Sequence, residues 1–276
     1  MVIPAQLRIQ LTAAAVTPPA EHAARRPAGA ADAAAADAGV SQTSTRMSRM
    51  QNNVRAIILD MDGLMLDTEP LYKVAWQAAA AELGYVLDDM SYAKLVGRPN
   101  NDCEREVMEQ FGSDFPLERF RSRWPELWQR EVSARGIAMK PGLLEFLAFL
   151  EIHGLPVAVA TSSDAAYAVW SLKQAGLDGR FAVVVAGDEV ARGKPAPDIY
   201  VEAAHRLGIS PARCVALEDS EPGVLAASGA GMITILIPDW INPSDAAVRA
   251  AFRVLKSLDE AQYVVADLVA KAPKAG

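Results

Sequence analysis

The chain has 276 residues, 51% of them hydrophobic and 22% charged, and a formal net charge of -7. That is enough for one large domain or two small ones. The acidic balance argues against a non-specific nucleic-acid or membrane-surface binder, which needs a basic face. Two cysteines, Cys103 and Cys214, exclude a disulfide scaffold and a cysteine zinc cluster, and three histidines leave little for histidine-based chemistry.

No segment reaches the roughly 18 apolar residues that span a bilayer. The N-terminus has one basic flank, Arg8, and a short apolar run, which does not suit a secretory signal, so the expected location is the cytoplasm. Residues 1–50 hold 15 alanines and no aromatic residue. They read as a disordered Ala-rich extension that buries too little surface to offset its ordering entropy. Two other readings stay open. One is a start at Met47 or Met50. The other is a transit peptide, favoured by Arg25, Arg26, Arg46 and Arg49 and opposed by Glu21, Asp32 and Asp37. Of the 27 basic and 34 acidic residues, five and three fall here, so the remainder is more acidic than the total suggests.

From Val54 the pattern becomes strand, loop, helix. VRAIILD reads as a buried strand ending in a carboxylate. LPVAVAT (155–161), FAVVVAG (181–187), CVALED (214–219) and MITILIP (232–238) follow, apolar on both faces as central parallel strands are. Leu143, Phe146, Leu147 and Leu150 share a helix face that Gly154 ends. Asp164 or Ser163 caps a helix that stops before Gly176, and Pro197 opens another that stops at Gly208. Alternation of this kind predicts an α/β fold, a Rossmann-like doubly wound parallel sheet. Residues 66–140 contain no good strand. Leu71, Val74, Ala75, Ala78 and Leu83 form one helical stripe; Leu117, Phe120, Trp124, Leu127 and Trp128 form another, interrupted by Pro125. This predicts an inserted all-helical domain of about 70 residues. The division expected is an extension at 1–50, a core at 54–66 and 140–270, and a helical cap at 67–139. Trp76, Trp124, Trp128 and Trp170 read as core or cap-interface residues, and Trp240 lies just beyond the last predicted strand.

Ligands of open α/β sheets bind at the carboxyl ends of the strands. The first strand ends Asp60-Met61-Asp62-Gly63, and alternate residues of an extended segment face the same way. The second ends Thr161-Ser162-Ser163 ahead of a helix N-terminus, a natural phosphate seat. Lys194 follows the third, in RGKPAPD, and the fourth ends Glu218-Asp219. Four carboxylates without a counter-ion raise one another's pKa. A hard divalent cation resolves this, and Mg²⁺ is the usual one. The cation and Lys194 then leave a positive pocket for a phosphate, where one carboxylate can attack phosphorus while its neighbour protonates the leaving oxygen. Other phosphatase chemistries do not fit. The position six after Cys103 is Glu109 and after Cys214 is Ser220, not Arg, and His205-Arg206 is mid-helix.

LDMDGLMLDTEPLY, ATSS, GKPAPDIY and ALEDSEPGVLAASGAGM together resemble the four motifs of the haloacid dehalogenase superfamily, subfamily IA. The nearest likeness is to the phosphatases related to β-phosphoglucomutase and pseudouridine-5′-phosphatase, over about Val54 to Leu268. The resemblance implies a helical cap, Asp60 as nucleophile, Asp62 as general acid/base, and Thr161 and Lys194 as holders of the phosphoryl group. It implies Mg²⁺ on Asp60, the backbone carbonyl of Asp62 and Asp219, with Glu218 direct or through water. Ser162, Ser163 and the Gly97-Arg98 turn become substrate-binding candidates, Arg98 for a second anionic group. Leu59 stands where the family often has Phe. The expected activity is a Mg²⁺-dependent phosphatase on a small phosphorylated metabolite, in a chain read as a monomer without nucleic-acid or membrane partners. A phosphomutase and a non-catalytic phosphosugar-binding regulator stay as alternatives. Against the mutase, Tyr72 stands where the β-phosphoglucomutases have a gating histidine, and Asn100 where they have a phosphate-gripping arginine. The substrate itself is not legible in the sequence.

Overall fold

The computed structural model describes residues 54–96 and 100–270; the 1–50 extension and the Gly97-Arg98 turn lie outside the described residues. A six-stranded sheet, parallel at every pairing, runs through the core. Its strands are β1 (Ala56–Leu59), β2 (Val157–Ala160), β3 (Val183–Val185), β4 (Cys214–Glu218), β5 (Ile233–Leu236) and β6 (Arg253–Val254). They lie in the order β3-β2-β1-β4-β5-β6. The sheet is doubly wound and parallel, as predicted, and the chain reverses direction of travel between β1 and β4, where ligands of such sheets bind. The two-residue β6 is an addition; its exposed Arg-Val pair carries no apolar pattern to read.

Between β1 and β2 stand α1 (Glu69–Glu82), α2 (Asp89–Ala93), α3 (Asn100–Phe111) and α4 (Leu117–Arg135), then α5 (Leu143–Ile152). The remaining helices are α6 (Ala165–Gln174), α7 (Asp198–Arg206), α8 (Glu221–Gly229), α9 (Asp245–Ala250) and α10 (Leu258–Ala270). Asp164 caps α6 by accepting the Tyr167 N–H, and Ser220 caps α8 by accepting that of Gly223. Alternate residues of the strands face opposite sides, and both sides are buried. Ile57, Leu59, Val159, Val215, Leu217 and Ile235 meet α5, α6 and α10 on one side. On the other, Ala56, Ala158, Ala160 and Ala216 meet the alanines of α7 and α8. Small residues on both surfaces let these two helices lie close to the sheet.

The helical insertion is organised by α1 against α4. Its buried stripe on α1 is Leu71, Ala75, Trp76, Ala79 and Ala80, not the expected one: Val74 is exposed and Ala78 and Leu83 are half-buried. The Trp76 indole causes the rotation, because it packs edge-on to Phe120 at 5.0 Å and beside Trp124 at 5.8 Å. On α4 the expected stripe is buried except for half-buried Leu117, but Pro125 does not break the helix. An internal proline costs about 3 kcal/mol; Phe120 and Trp124 before it and Leu127, Trp128 and Val132 after it keep both halves seated on α1.

The insertion joins the core through paired segments. The Asp67 N–H donates to the Ala138 carbonyl at 2.8 Å and the Lys140 N–H to that of Met65 at 2.9 Å. Leu66 and Met139 form an antiparallel bridge. The Lys140 ammonium ties this junction to Asp67 at 2.8 Å and to Asp239, beyond β5, at 2.6 Å.

Phe120 is fully buried between Trp76 and Phe115. Phe120→Ala is expected to lower stability by about 3–5 kcal/mol, read from urea unfolding. A loss under about 1 kcal/mol would show that the insertion does not depend on this contact.

Candidate active site

Asp60 is the first residue after β1, its N–H still in the ladder with the Leu217 carbonyl at 3.1 Å. Three residues on, the chain turns at Gly63 with φ +91°, and a Cβ there would fall 2.2 Å from Asp219 Oδ2. Glycine thus serves both the turn and the close approach of the loop after β4. Asp60, Glu218 and Asp219 each bring a carboxylate oxygen within 4.8 Å of one another.

Lys194 reaches into this group from the loop before α7. Its side chain is 3% exposed and bonds the Asp60 carboxylate, Glu218 Oε1 at 2.6 Å and the Ala160 carbonyl at 3.0 Å. Glu218 is fully buried and heavily engaged. Its Oε1 also accepts the Tyr200 hydroxyl at 2.6 Å, and its Oε2 accepts the Ser220 hydroxyl at 3.0 Å and the Asp219 and Ser220 N–H groups. A Cβ at Gly223 would stand 1.8 Å from Glu218 Oε1, so the first turn of α8 closes over this carboxylate.

One ammonium faces three carboxylates here. Burial first, opposed by Lys194 and reinforced by Glu218 and Asp62, pushes Asp60 up to about 8. Burial and then the charges of Asp60 and Glu218 also push Asp219 well up. Desolvation works against the Lys194 charge, yet the two carboxylates it touches hold it above its ordinary value. Lys194 therefore stays an ammonium, and the surplus negative charge calls for a further cation or proton.

Asp62 lies to one side, its Oδ2 accepting the Ser163 hydroxyl at 3.0 Å and its Oδ1 the Tyr167 hydroxyl at 3.1 Å. Burial raises its pKa, with Ser163 and Tyr167 opposing. Thr161 is buried and its hydroxyl accepts the Ser163 N–H at 3.1 Å, while Ser162 is exposed. A cavity of about 930 Å³ opens over these groups. Asp60, Asp62, Thr161, Ser162, Ser163, Lys194 and Asp219 all line it, and Tyr92, Leu95, Trp240 and Ile241 wall its outer part. Eight of the ten expected site residues thus stand together, with Glu218 directly beneath; the other two, Gly97 and Arg98, lie outside the described residues.

A family model for haloacid dehalogenase-like hydrolases matches residues 54–231. The chain belongs to the haloacid dehalogenase-like hydrolases. A phosphorylated carbohydrates phosphatase of Thermotoga maritima is 32% identical over 78% of this chain and all of that protein. A fructose-1-phosphate phosphatase of Escherichia coli is 34% identical over 66% of this chain and 96% of that protein. Among solved structures, CbbY from Rhodobacter sphaeroides in complex with phosphate superposes with a TM-score of 0.61, at 30% identity, over 75% of this chain and 96% of that one. No helix among the described residues is long and apolar enough to cross a membrane.

Sequence reading passed over two tyrosines that bind the carboxylates of this hydrolase. Tyr167 and Tyr200 each occupy the third position of a helix, α6 and α7, whose first turn abuts the strand ends. That shared position was the available signal. It also passed over Glu69, which accepts the Tyr92 hydroxyl at 2.7 Å on the cavity wall, and the Lys140 clasp.

The Asp60 shift has a definite sign. Its folded-state pKa lies above its unfolded value, so its contribution to stability is full below pH 3.8 and lost as pH rises through about 8. A divalent cation binds the ionised carboxylates and displaces their protons. The rise in thermal midpoint caused by MgCl₂ over EDTA is therefore expected to grow from pH 5.5 to about 8. A rise that is the same at every pH would contradict this.

Proposed function

We propose that this hydrolase is a Mg²⁺-dependent phosphatase of a small phosphorylated metabolite, in the class of sugar phosphates. The observation that carries the reading is the grouping of Asp60, Asp62 and Asp219 at the carboxyl ends of β1 and β4 with Lys194 from the loop before α7, under a cavity lined by both the core and the insertion. The names of the curated relatives support phosphorylated carbohydrates as the substrate class.

The donor set fits Mg²⁺. It offers carboxylate oxygens only, and burial without a second cation drives two of them toward protonation. Asp60, Asp219 and the backbone carbonyl of Asp62 would hold the ion. Glu218, with both oxygens already accepting hydrogen bonds, would act through water and by fixing Lys194. When bound, Mg²⁺ neutralises phosphoryl oxygens and steadies the charge of the transition state. The other steps belong to the chain. Lys194 and the Thr161–Ser163 turn seat the phosphoryl oxygens. An Asp60 oxygen attacks phosphorus. Asp62 donates its proton to the leaving alcohol oxygen, then as a carboxylate takes a proton from the water that cleaves the aspartyl-phosphate. The helical cap, residues 67–139, covers the reaction. Glu69 is placed to accept a substrate hydroxyl.

Hydrolysis is favoured over phosphoryl return to a second sugar position. Position 72 is a tyrosine, and its hydroxyl is spent on Tyr167 at 2.9 Å.

Asp60→Asn is expected to keep the thermal midpoint within a few degrees, to lower turnover of p-nitrophenyl phosphate by more than about 10³-fold, and to leave no acid-stable ³²P label. EDTA is expected to stop the unaltered enzyme. Label on Asp60→Asn would move the nucleophile elsewhere. With β-glucose 1-phosphate and a trace of the 1,6-bisphosphate, ³¹P NMR is expected to follow inorganic phosphate. Glucose 6-phosphate accumulating faster would establish the mutase instead.

A further inference from the structure

The Asp62 carboxyl group is held at both oxygens, and one of the holders is itself gripped by the insertion. Ser163 donates to Oδ2 and Tyr167 to Oδ1. A phenol has one proton, so Tyr167, having given its own to Asp62, is an acceptor toward Tyr72, whose hydroxyl donates to it at 2.9 Å. The chain of bonds therefore runs one way, from Tyr72 on α1 through Tyr167 on α6 to Asp62. The Trp128 indole of α4 packs against both tyrosine rings, 5.3 Å from Tyr72 at 17° and 5.5 Å from Tyr167 at 24°. Trp128 is 1% exposed, and its indole N–H has no partner among the described residues. Ring stacking, not hydrogen bonding, fixes its position.

We propose that Tyr167 is a positioning residue that aims the Asp62 carboxyl at the leaving oxygen, with Trp128 and Tyr72 fixing the Tyr167 ring and hydroxyl. The inference rests on the phosphatase reading, in which Asp62 is the proton donor. In that step the Asp60–phosphorus bond forms, the bond from phosphorus to the alcohol oxygen breaks, and its electron pair goes to that oxygen. The oxygen takes the Asp62 proton and leaves as alcohol. A carboxyl group free to rotate about its last bond presents the proton correctly only part of the time, and an error of about 1 Å in such a transfer costs up to 10²-fold. Donors on two different oxygens, with the Thr68 hydroxyl beside them, remove that freedom.

The consequence is a dependence on leaving group. p-Nitrophenolate departs without help, whereas phenolate, the anion of an acid with a pKa near 10, needs a proton. kcat/KM reports the steps up to departure of the alcohol and not the later cleavage of the aspartyl-phosphate. In the full-length enzyme, Tyr167→Phe keeps the ring that stacks on Trp128 and deletes one hydroxyl. It is expected to lower kcat/KM for phenyl phosphate by about tenfold or more and that for p-nitrophenyl phosphate by less than about twofold. Tyr72→Phe is expected to discriminate in the same direction, less strongly, and serves as the second variant if the first folds poorly. Equal losses on both substrates in both variants would reduce the tyrosines to packing and overturn the inference. Asp62→Asn separates the two failures. If it discriminates between the substrates and the tyrosine variants do not, only the positioning role falls. If Asp62→Asn lowers both equally, the proton-donor reading falls and the inference with it.

Discussion

A single buried ammonium organises this molecule. Lys194 is 3% exposed and shared by Asp60 and Glu218, with Asp219 beside them. Removing so many like charges from water is not a source of stability; the desolvation of buried charges commonly exceeds their mutual attraction. The cluster persists because three separate strand ends and the first turn of α8 are fixed by the sheet. What it provides is a site that is short of positive charge by its geometry, and in the reading proposed above a metal ion supplies what is missing. The same shortage explains why Asp60 and Asp219 are driven toward protonation while Lys194 is not.

The stability that tolerates such a site comes from the two unequal faces of the sheet. On one, long aliphatic and aromatic side chains extend without a break from the strands into the helical insertion, so cap and core share apolar surface. On the other, alanine meets alanine. The close seat of α7 on that second face has a direct bearing on the chemistry. It carries Tyr200 under Glu218, so the position of a ligand-side carboxylate is set by how near a helix can approach a strand.

The parts of the site that follow from strand periodicity were legible in the sequence. Asp60 and Asp62 two residues apart, Thr161 and Asp219 sit where apolar runs stop, a parallel sheet gathers such ends at one edge, and Lys194 follows on the loop after the third run. The side chains that hold them were not. Whether Tyr167 turns toward Asp62 depends on how α6 is rotated and tilted, which is decided by Trp128, from elsewhere in the chain, packing on Tyr167 and Trp170. Lys140 and Asp239 are 99 residues apart and meet only because the loop after β5 folds back to the cap junction. The stripe on α1 was misplaced for a similar reason. Periodicity finds an apolar face, but the bulk of Trp76 chooses which edge of that face is driven inward. Pro125 in α4 marks the opposite limit, where a strong local signal yields to packing on both sides.

The paired junction between insertion and core bears on how this architecture accommodates change. Met65 to Asp67 and Ala138 to Lys140 are laced together by two backbone hydrogen bonds and a bridge. Seen from the sheet, the whole excursion enters and leaves at one point, as a tight hairpin would. The length and content of what lies beyond that point do not alter where β1 ends or where α5 begins, because the closure is made locally and not by the helices themselves. Domain insertions are tolerated where chain ends lie close together on a surface. A junction closed in this way holds the carboxylates, the lysine and the sheet that bears them independently of how far the chain travels between its two strands.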